Sequence, residues 1–218
     1  MITVWGEGRG LRVVWLLEEM GLAYRLRDVD LLKGVENDPE FLAINPCGYI
    51  PALQDGAMVM VESIAIMEYL IARHGAAAAA TLVPAAADPA YGLYQQFLHL
   101  GEAGLMMPLY MHVITKNIAP EAERGNWTDR ESVEIFRNRL QLVTRQLARA
   151  PYMAGDAFTA ADISVSYALS FARRNAGLEL GEAETAYLTR TTARAGYQRA
   201  LEVCHATRAW YARADGEG

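Results

Sequence analysis

The chain has 218 residues, 52% of them hydrophobic, which is enough apolar material for one large domain or two small ones. Its net charge is −6 and its lysines and arginines are scattered, which excludes the basic stripe of a nucleic-acid surface. Two cysteines, Cys47 and Cys204, stand in no paired spacing, which excludes a disulfide scaffold or a zinc site and fits a reducing compartment. Met1, Ile2 and Thr3 lead into a strand with no basic leader, and no apolar run reaches the ~18 residues needed to cross a bilayer. The expectation is a cytoplasmic protein with no membrane, metal or nucleic-acid partner.

Ile2–Trp5 reads as a strand. Leu11–Met20 reads as a helix, because Val13, Leu16, Leu17 and Met20 share one face, and Gly21 suits its C-cap. Between them lies GEGRG, residues 6–10, with three glycines; from Gly6 to Arg12 there is no hydroxyl or thiol. Residues 24–29 alternate as a strand. A polar loop containing Gly34 and Pro39 leads to a short helix over 38–43. Residues 53–61 read as a hairpin, with Asp55-Gly56 supplying the positive φ of a tight turn. A helix over 63–73 completes a β-α-β-α-β-β-α order. The Ala- and Pro-rich run over 74–90 has no periodicity and reads as a linker. Beyond it, residues 91–115, 129–150, 160–176 and 184–206 look helical and no strand is visible. The expected boundaries are an α/β domain over 1–75, a linker over 76–90 and an all-helical domain over 91–218.

Three stretches carry chemistry. In NPCGYIPAL, residues 45–53, Pro51 cannot donate a ladder hydrogen bond. It reads as an ordinary turn proline. With a cis Ile50–Pro51 bond it would instead turn the backbone of Ile50 outward, to pair with an extended peptide. In VESIAIMEYL, residues 61–70, Ser63 suits the N-cap of the helix behind it. A helix start also receives an anion, and Glu62 accepts from an ammonium group, so the pair fits the α-amino-acid end of a ligand as well as a plain capped helix. The third stretch, GEGRGL, also reads as half of a dinucleotide fingerprint, with Asp28 twenty residues after Gly8. Leu11 stands where the third glycine belongs, and the following hairpin is not a second parallel crossover. Thr159-Ala160-Ala161-Asp162 is a capping box whose role is folding. His74, His99, His112 and His205 show no metal-ligand spacing, and Cys47 reads as a buried, inert thiol, with mixed-disulfide formation as the alternative.

LRVVWLLEEMGLAY (11–24), NPCGYIPAL (45–53), VESIAIMEYL (61–70) and GDAFTAADISVSYAL (155–169), in this order, resemble the glutathione transferase superfamily over nearly the whole chain. The resemblance implies a thioredoxin-like N-terminal domain that binds glutathione as co-substrate. It also implies an all-α C-terminal domain that receives a small hydrophobic electrophile, and a homodimer. It places a cis proline at Pro51, backbone pairing of Ile50 with the cysteinyl part of glutathione, and Glu62 and Ser63 on the γ-glutamyl end. Tyr49 stands where a basic residue is common, at the glycine end.

Members of this type carry a Ser, Tyr or Cys at the end of the first strand, a position that falls on Glu7 or Gly8 here. Thiol activation is then expected from backbone N–H groups of Gly8, Arg9, Gly10 and Leu11 at the helix start, with charge from Arg9 or Arg12. A helix N-terminus or a cation lowers a thiol pKa of ~8.5 by a unit or more. Arg9 also reads as a solvated surface residue and Arg12 as a structural one. Met106, Met107, Tyr110 and Met111 read as an adaptable apolar pocket for the electrophile, or as a core or dimer face. Trp127, Trp210 and Tyr211 are candidates to cover it. The expected function is conjugation of glutathione to a hydrophobic electrophile by thiolate attack, a detoxifying reaction. The alternative is a non-catalytic glutathione- or ligand-binding protein.

Overall fold

Two strands that are parallel neighbours need a crossover of a dozen or more residues, and the first turn of this chain provides one. The computed structural model describes residues 1–30, 33–75 and 81–214, with side chains up to residue 209. Its residues group into two compact units, one drawn from 1–80 and 193–218 and the other from 81–192.

In the first unit, β1 (Ile2–Trp5), β2 (Tyr24–Arg27), β3 (Ala52–Asp55) and β4 (Met58–Val61) form one sheet in the order β2-β1-β3-β4. β1 runs parallel to β2, with Ile2 opposite Tyr24, and antiparallel to β3, with Trp5 opposite Ala52. β3 and β4 close the hairpin, with Ala52 opposite Val61. The single parallel crossover is α1 (Leu11–Met20), which ends at Gly21 in the left-handed region. The sheet carries no second parallel crossover, so the dinucleotide-binding reading of GEGRGL fails on topology. This mixed sheet is thioredoxin-like.

The strand expected over 24–29 ends earlier, at Arg27. Arg27 pairs with Asp38, lies 3.2 Å from Glu40 and rests 5.2 Å over the Trp5 ring. Asp38 also accepts the Phe41 N–H at 3.0 Å and so caps α2 (Pro39–Ile44). The Arg27 guanidinium and that N–H hold the Asp38 carboxyl below its ordinary range. Trp5, Val29, Phe41 and Ala52 form a buried cluster against which Val35, Ile44 and Ile50 pack. α3 (Ser63–His74) follows β4.

The second unit holds α4 (Ala90–His99), a π-helical segment (Leu100–Met106), α5 (Met107–Asn117), α6 (Trp127–Leu147), α7 (Ala160–Arg174) and α8 (Glu182–Thr192). The expected continuous helix over 91–115 is therefore interrupted, and Pro108 is the reason. It has no N–H to give to the Gly104 carbonyl, while the Met107 N–H reaches back to Glu102. The carbonyls of Ala103 and Gly104 accept Arg139 Nη1 instead, at 3.3 and 3.0 Å. A Cβ on Gly101 would lie 2.6 Å from the backbone of Ser164, so the π segment meets α7 at a glycine.

α7 is buried along almost its whole length. At its start the Asp162 carboxylate, fully buried, accepts the N–H groups of Met153 and Thr159, the Thr159 hydroxyl and the Tyr187 hydroxyl. Burial pushes this carboxyl up to about 6, and those donors pull the other way.

One helix was expected over 184–206, and three occur: α8, α9 (Ala195–Val203) and α10 (His205–Ala214). The break follows from packing within the first unit. Arg194 grips Glu19 through two hydrogen bonds of 2.8 and 2.7 Å, and Trp15 meets Tyr197 edge-on at 4.8 Å. A Cβ on Gly196 would lie 2.6 Å from Glu19 Oε1, so a larger residue there would have to displace the Glu19 side chain that Arg194 holds. Residues 193–218, expected with the helical domain, thus group with the α/β unit. Residues 76–80 of the expected linker lie outside the described residues, and α4 begins at Ala90. Among the described residues no helix is long and apolar enough to cross a membrane.

Candidate functional site

The glycines of GEGRG serve close packing first. Gly6 has φ +87, and a Cβ there would sit 2.6 Å from Ile50 Cβ. A Cβ on Gly8 (φ +62) would lie 3.4 Å from Ile50 Cδ1, and one on Gly10 would lie 3.5 Å from Pro51 Cβ. The first loop therefore folds against Ile50 and Pro51, two residues that the sequence separates from it by some forty positions. The Ile50–Pro51 bond is cis and Pro51 is buried.

Asn45 holds the rest of this turn. Its side chain donates to the Tyr49 carbonyl at 2.6 Å and accepts the Cys47 N–H at 3.1 Å, and its own carbonyl accepts the Gly48 N–H at 3.0 Å. Sequence reasoning passed over Asn45, although an Asn followed by Pro and Gly is a recognisable Asx-turn signal. Tyr49 is 71% exposed. Cys47 is exposed too, contrary to the expected buried thiol, because this turn carries it outward.

Ala52 pairs with Val61, so Pro51 and Glu62 are the residues flanking one rung of the ladder. Ser63 was expected as the N-cap of α3. It is instead the first helical residue and buried, while Glu62 holds the cap position and makes no side-chain cap bond. Glu62 has φ 70 and ψ 105, the one positive φ outside glycine among the described residues. Such a conformation costs ~1–3 kcal/mol and persists only where surrounding structure imposes it. It leaves an exposed carboxylate beside the start of a helix whose N–H groups no side chain caps.

The expected row of open N–H groups is not what the loop presents. The Gly8 N–H donates to Thr207 Oγ1 at 3.1 Å, Gly10 N–H to the Glu7 carbonyl at 3.0 Å, and Leu11 N–H to the Gly8 carbonyl. Tightening into a short 3-10 turn before α1 consumes them. Arg9 is half-buried, whereas Arg12 is fully buried inside α1, as a structural residue would be. Glu7 is 8% exposed, and its carboxylate accepts the Thr207 N–H at 2.8 Å. Nothing in the sequence signals this pairing, since the partners are 200 positions apart.

In the second unit, Met107 is 45% exposed, Met111 is exposed and Tyr110 half-buried, one face of α5. Met106 departs from the expected group: it belongs to the π segment and is fully buried. Trp127 is exposed, and the side chains of Trp210 and Tyr211 lie outside the described residues. Among the described residues no three His, Cys, Asp or Glu side chains cluster as a metal site requires.

Residues 2–72 match the family model described as glutathione S-transferase, N-terminal domain. The chain is 34% identical over 157 residues to glutathione S-transferase 3 of Zea mays, an alignment covering 70% of this chain and 68% of that protein. It is 30% identical over 181 residues to glutathione S-transferase 3 of Schizosaccharomyces pombe, covering 78% and 72% respectively. Among solved structures it is similar to the theta class glutathione S-transferase of Xanthomonas axonopodis pv. citri with glutathione bound, at 28% identity and a TM-score of 0.76, covering 91% of this chain and 96% of that one. Sheet order, cis proline and sequence identity converge, and the chain belongs to the glutathione S-transferase family.

Proposed function

We propose that this protein is a glutathione S-transferase that joins the glutathione thiolate to a hydrophobic electrophile. The observation that carries the reading is its identity, at 30–34% over most of the chain, to proteins named glutathione S-transferase. Glutathione is the co-substrate. Its binding falls to the thioredoxin-like unit, built on residues 1–75 and joined by the C-terminal helices, and the electrophile goes to the helical unit that begins with α4. Ile50 and Pro51 take the cysteinyl part, Glu62 the α-ammonium and Ser63 with the start of α3 the α-carboxylate. The strained backbone of Glu62 supports that assignment. Tyr49 lies toward the glycine end, and Met107, Tyr110 and Met111 take the electrophile.

Because the N–H groups of Gly8 and Gly10 are engaged, activation of the thiol falls mainly to Arg9 and the dipole of α1. The finer reading is a cytoplasmic, detoxifying homodimer. Calorimetry with glutathione and turnover of an aryl halide test it together: binding with conjugation is expected, and no binding refutes the site.

A second reading rests on the same engaged N–H groups. A loop with no hydroxyl, and with the amides of Gly8, Gly10 and Leu11 all occupied, suits a non-catalytic glutathione-binding protein. Binding without conjugation across several electrophile classes would favour it.

A further inference from the structure

Helix α10 starts after Cys204, whose side chain has no oxygen to cap a helix, and its cap comes from a distant residue. Glu7 Oε2 accepts the N–H of Thr207, the third residue of α10, at 2.8 Å. Thr207 returns a bond to the same loop, its Oγ1 accepting the Gly8 N–H at 3.1 Å. Glu7 and Thr207 are each 8% exposed, so the reciprocal pair is shielded from water. A buried carboxylate at a helix N-terminus gains from the dipole and from a charge-assisted bond. The Glu7 carbonyl meanwhile accepts the Gly10 N–H at 3.0 Å, so the loop is held from both ends of one residue.

We propose that Thr207, acting with Glu7, is a positioning residue: it fixes the loop of residues 6–10 from the C-terminal helix and so sets the place of the glutathione sulfur. The proposal rests on the site reading above. The Thr207 pair fixes where the Gly8 N–H points and leaves the turn before α1 one conformation. A hydroxyl can do this at position 207 and an isosteric methyl cannot, since only the oxygen accepts.

The test compares Thr207→Val and Thr207→Ser with the wild-type chain. In Thr207→Val the Gly8 amide should exchange about tenfold faster, and kcat for conjugation should fall about tenfold, the equivalent of one lost hydrogen bond. KM should change less than kcat. The thiolate absorbance of bound glutathione should shift toward the pH at which the free thiol titrates. S-methylglutathione, which lacks the thiol, should bind as it does to wild type. Thr207→Ser should restore every value.

Should Thr207→Val fail to fold, Glu7→Gln keeps the acceptor, drops its charge and should give the same pattern more weakly. A folded Thr207→Val, or Glu7→Gln in its place, with wild-type kcat and thiolate titration overturns the proposal while leaving the site reading intact, provided wild type binds glutathione. Wild type that binds no glutathione overturns both.

Discussion

Gly6 is the position where sequence, fold and site meet, and replacing it by alanine tests all three. Two costs add. Alanine at φ +87 lies outside its favoured regions, which costs ~1–2 kcal/mol. Its Cβ would also sit 2.6 Å from Ile50 Cβ, where carbon atoms normally keep ~3.5–4.0 Å, so one of the two must withdraw by about 1 Å. Ile50 is packed against the cluster of Trp5, Val29, Phe41 and Ala52, and overpacking of that kind costs ~1–3 kcal/mol. Gly6→Ala should therefore destabilise the protein by ~2–5 kcal/mol, read from urea unfolding. It should weaken glutathione binding as well, because the residue displaced is the one assigned to the cysteinyl backbone. Gly10→Ala is the control. Gly10 has φ −66, and its new Cβ would stand 3.5 Å from Pro51 Cβ, an ordinary contact. Stability should hold or rise by ~0.4–1 kcal/mol, as when a compatible glycine becomes alanine. Equal stability of Gly6→Ala and wild type, or equal damage from both substitutions, refutes the packing argument.

Glu62→Gly should separate stability from function: it relieves the strained φ, leaving stability within ~1 kcal/mol of wild type, while glutathione affinity measured by calorimetry falls by ~1–3 kcal/mol with the lost carboxylate. Burial raises the Asp162 carboxyl from its unfolded value to about 6, so the folded chain binds the proton more tightly; this group's contribution to stability is full below about pH 4 and declines as pH rises through about 6, by up to ~3 kcal/mol. Asp162→Asn should lose that slope and, with four donors left to one acceptor oxygen, unfold ~3–5 kcal/mol more easily; an unchanged pH profile of unfolding refutes it. Arg139→Met should cost ~1 kcal/mol by uncapping the carbonyls of Ala103 and Gly104, and a variant as stable as wild type shows that water replaces the guanidinium there. Light scattering at micromolar concentration should report a dimer, and a monomer counts against the assembly.

What the residues alone determined is whatever local periodicity and capping decide. α1 was legible because Val13, Leu16, Leu17 and Met20 share a face and Gly21 takes the left-handed conformation at its end. The β3–β4 hairpin was legible from Asp55-Gly56, and the start of α7 from Thr159 and Asp162. The four motifs, in order, pointed to the family and to Ile50, Pro51, Glu62 and Ser63 as the residues to look at. Tertiary structure decided the rest, because each remaining feature is a contact between distant positions. Residues 184–206 look helical from their sequence, and the structure divides them at 193–194 and at Cys204, where α9 packs on α1 through Gly196 and Tyr197. Met106 and Met107 are neighbours in sequence, and what packs against the π segment decides that Met106 is fully buried while Met107 is exposed. The glycines of GEGRG looked like open amides waiting for an anion. In the fold they are the clearance that lets the first loop lie on Ile50 and Pro51, and the Gly8 amide is already held by Thr207, because shape complementarity and a hydrogen bond across 199 positions have no local signature.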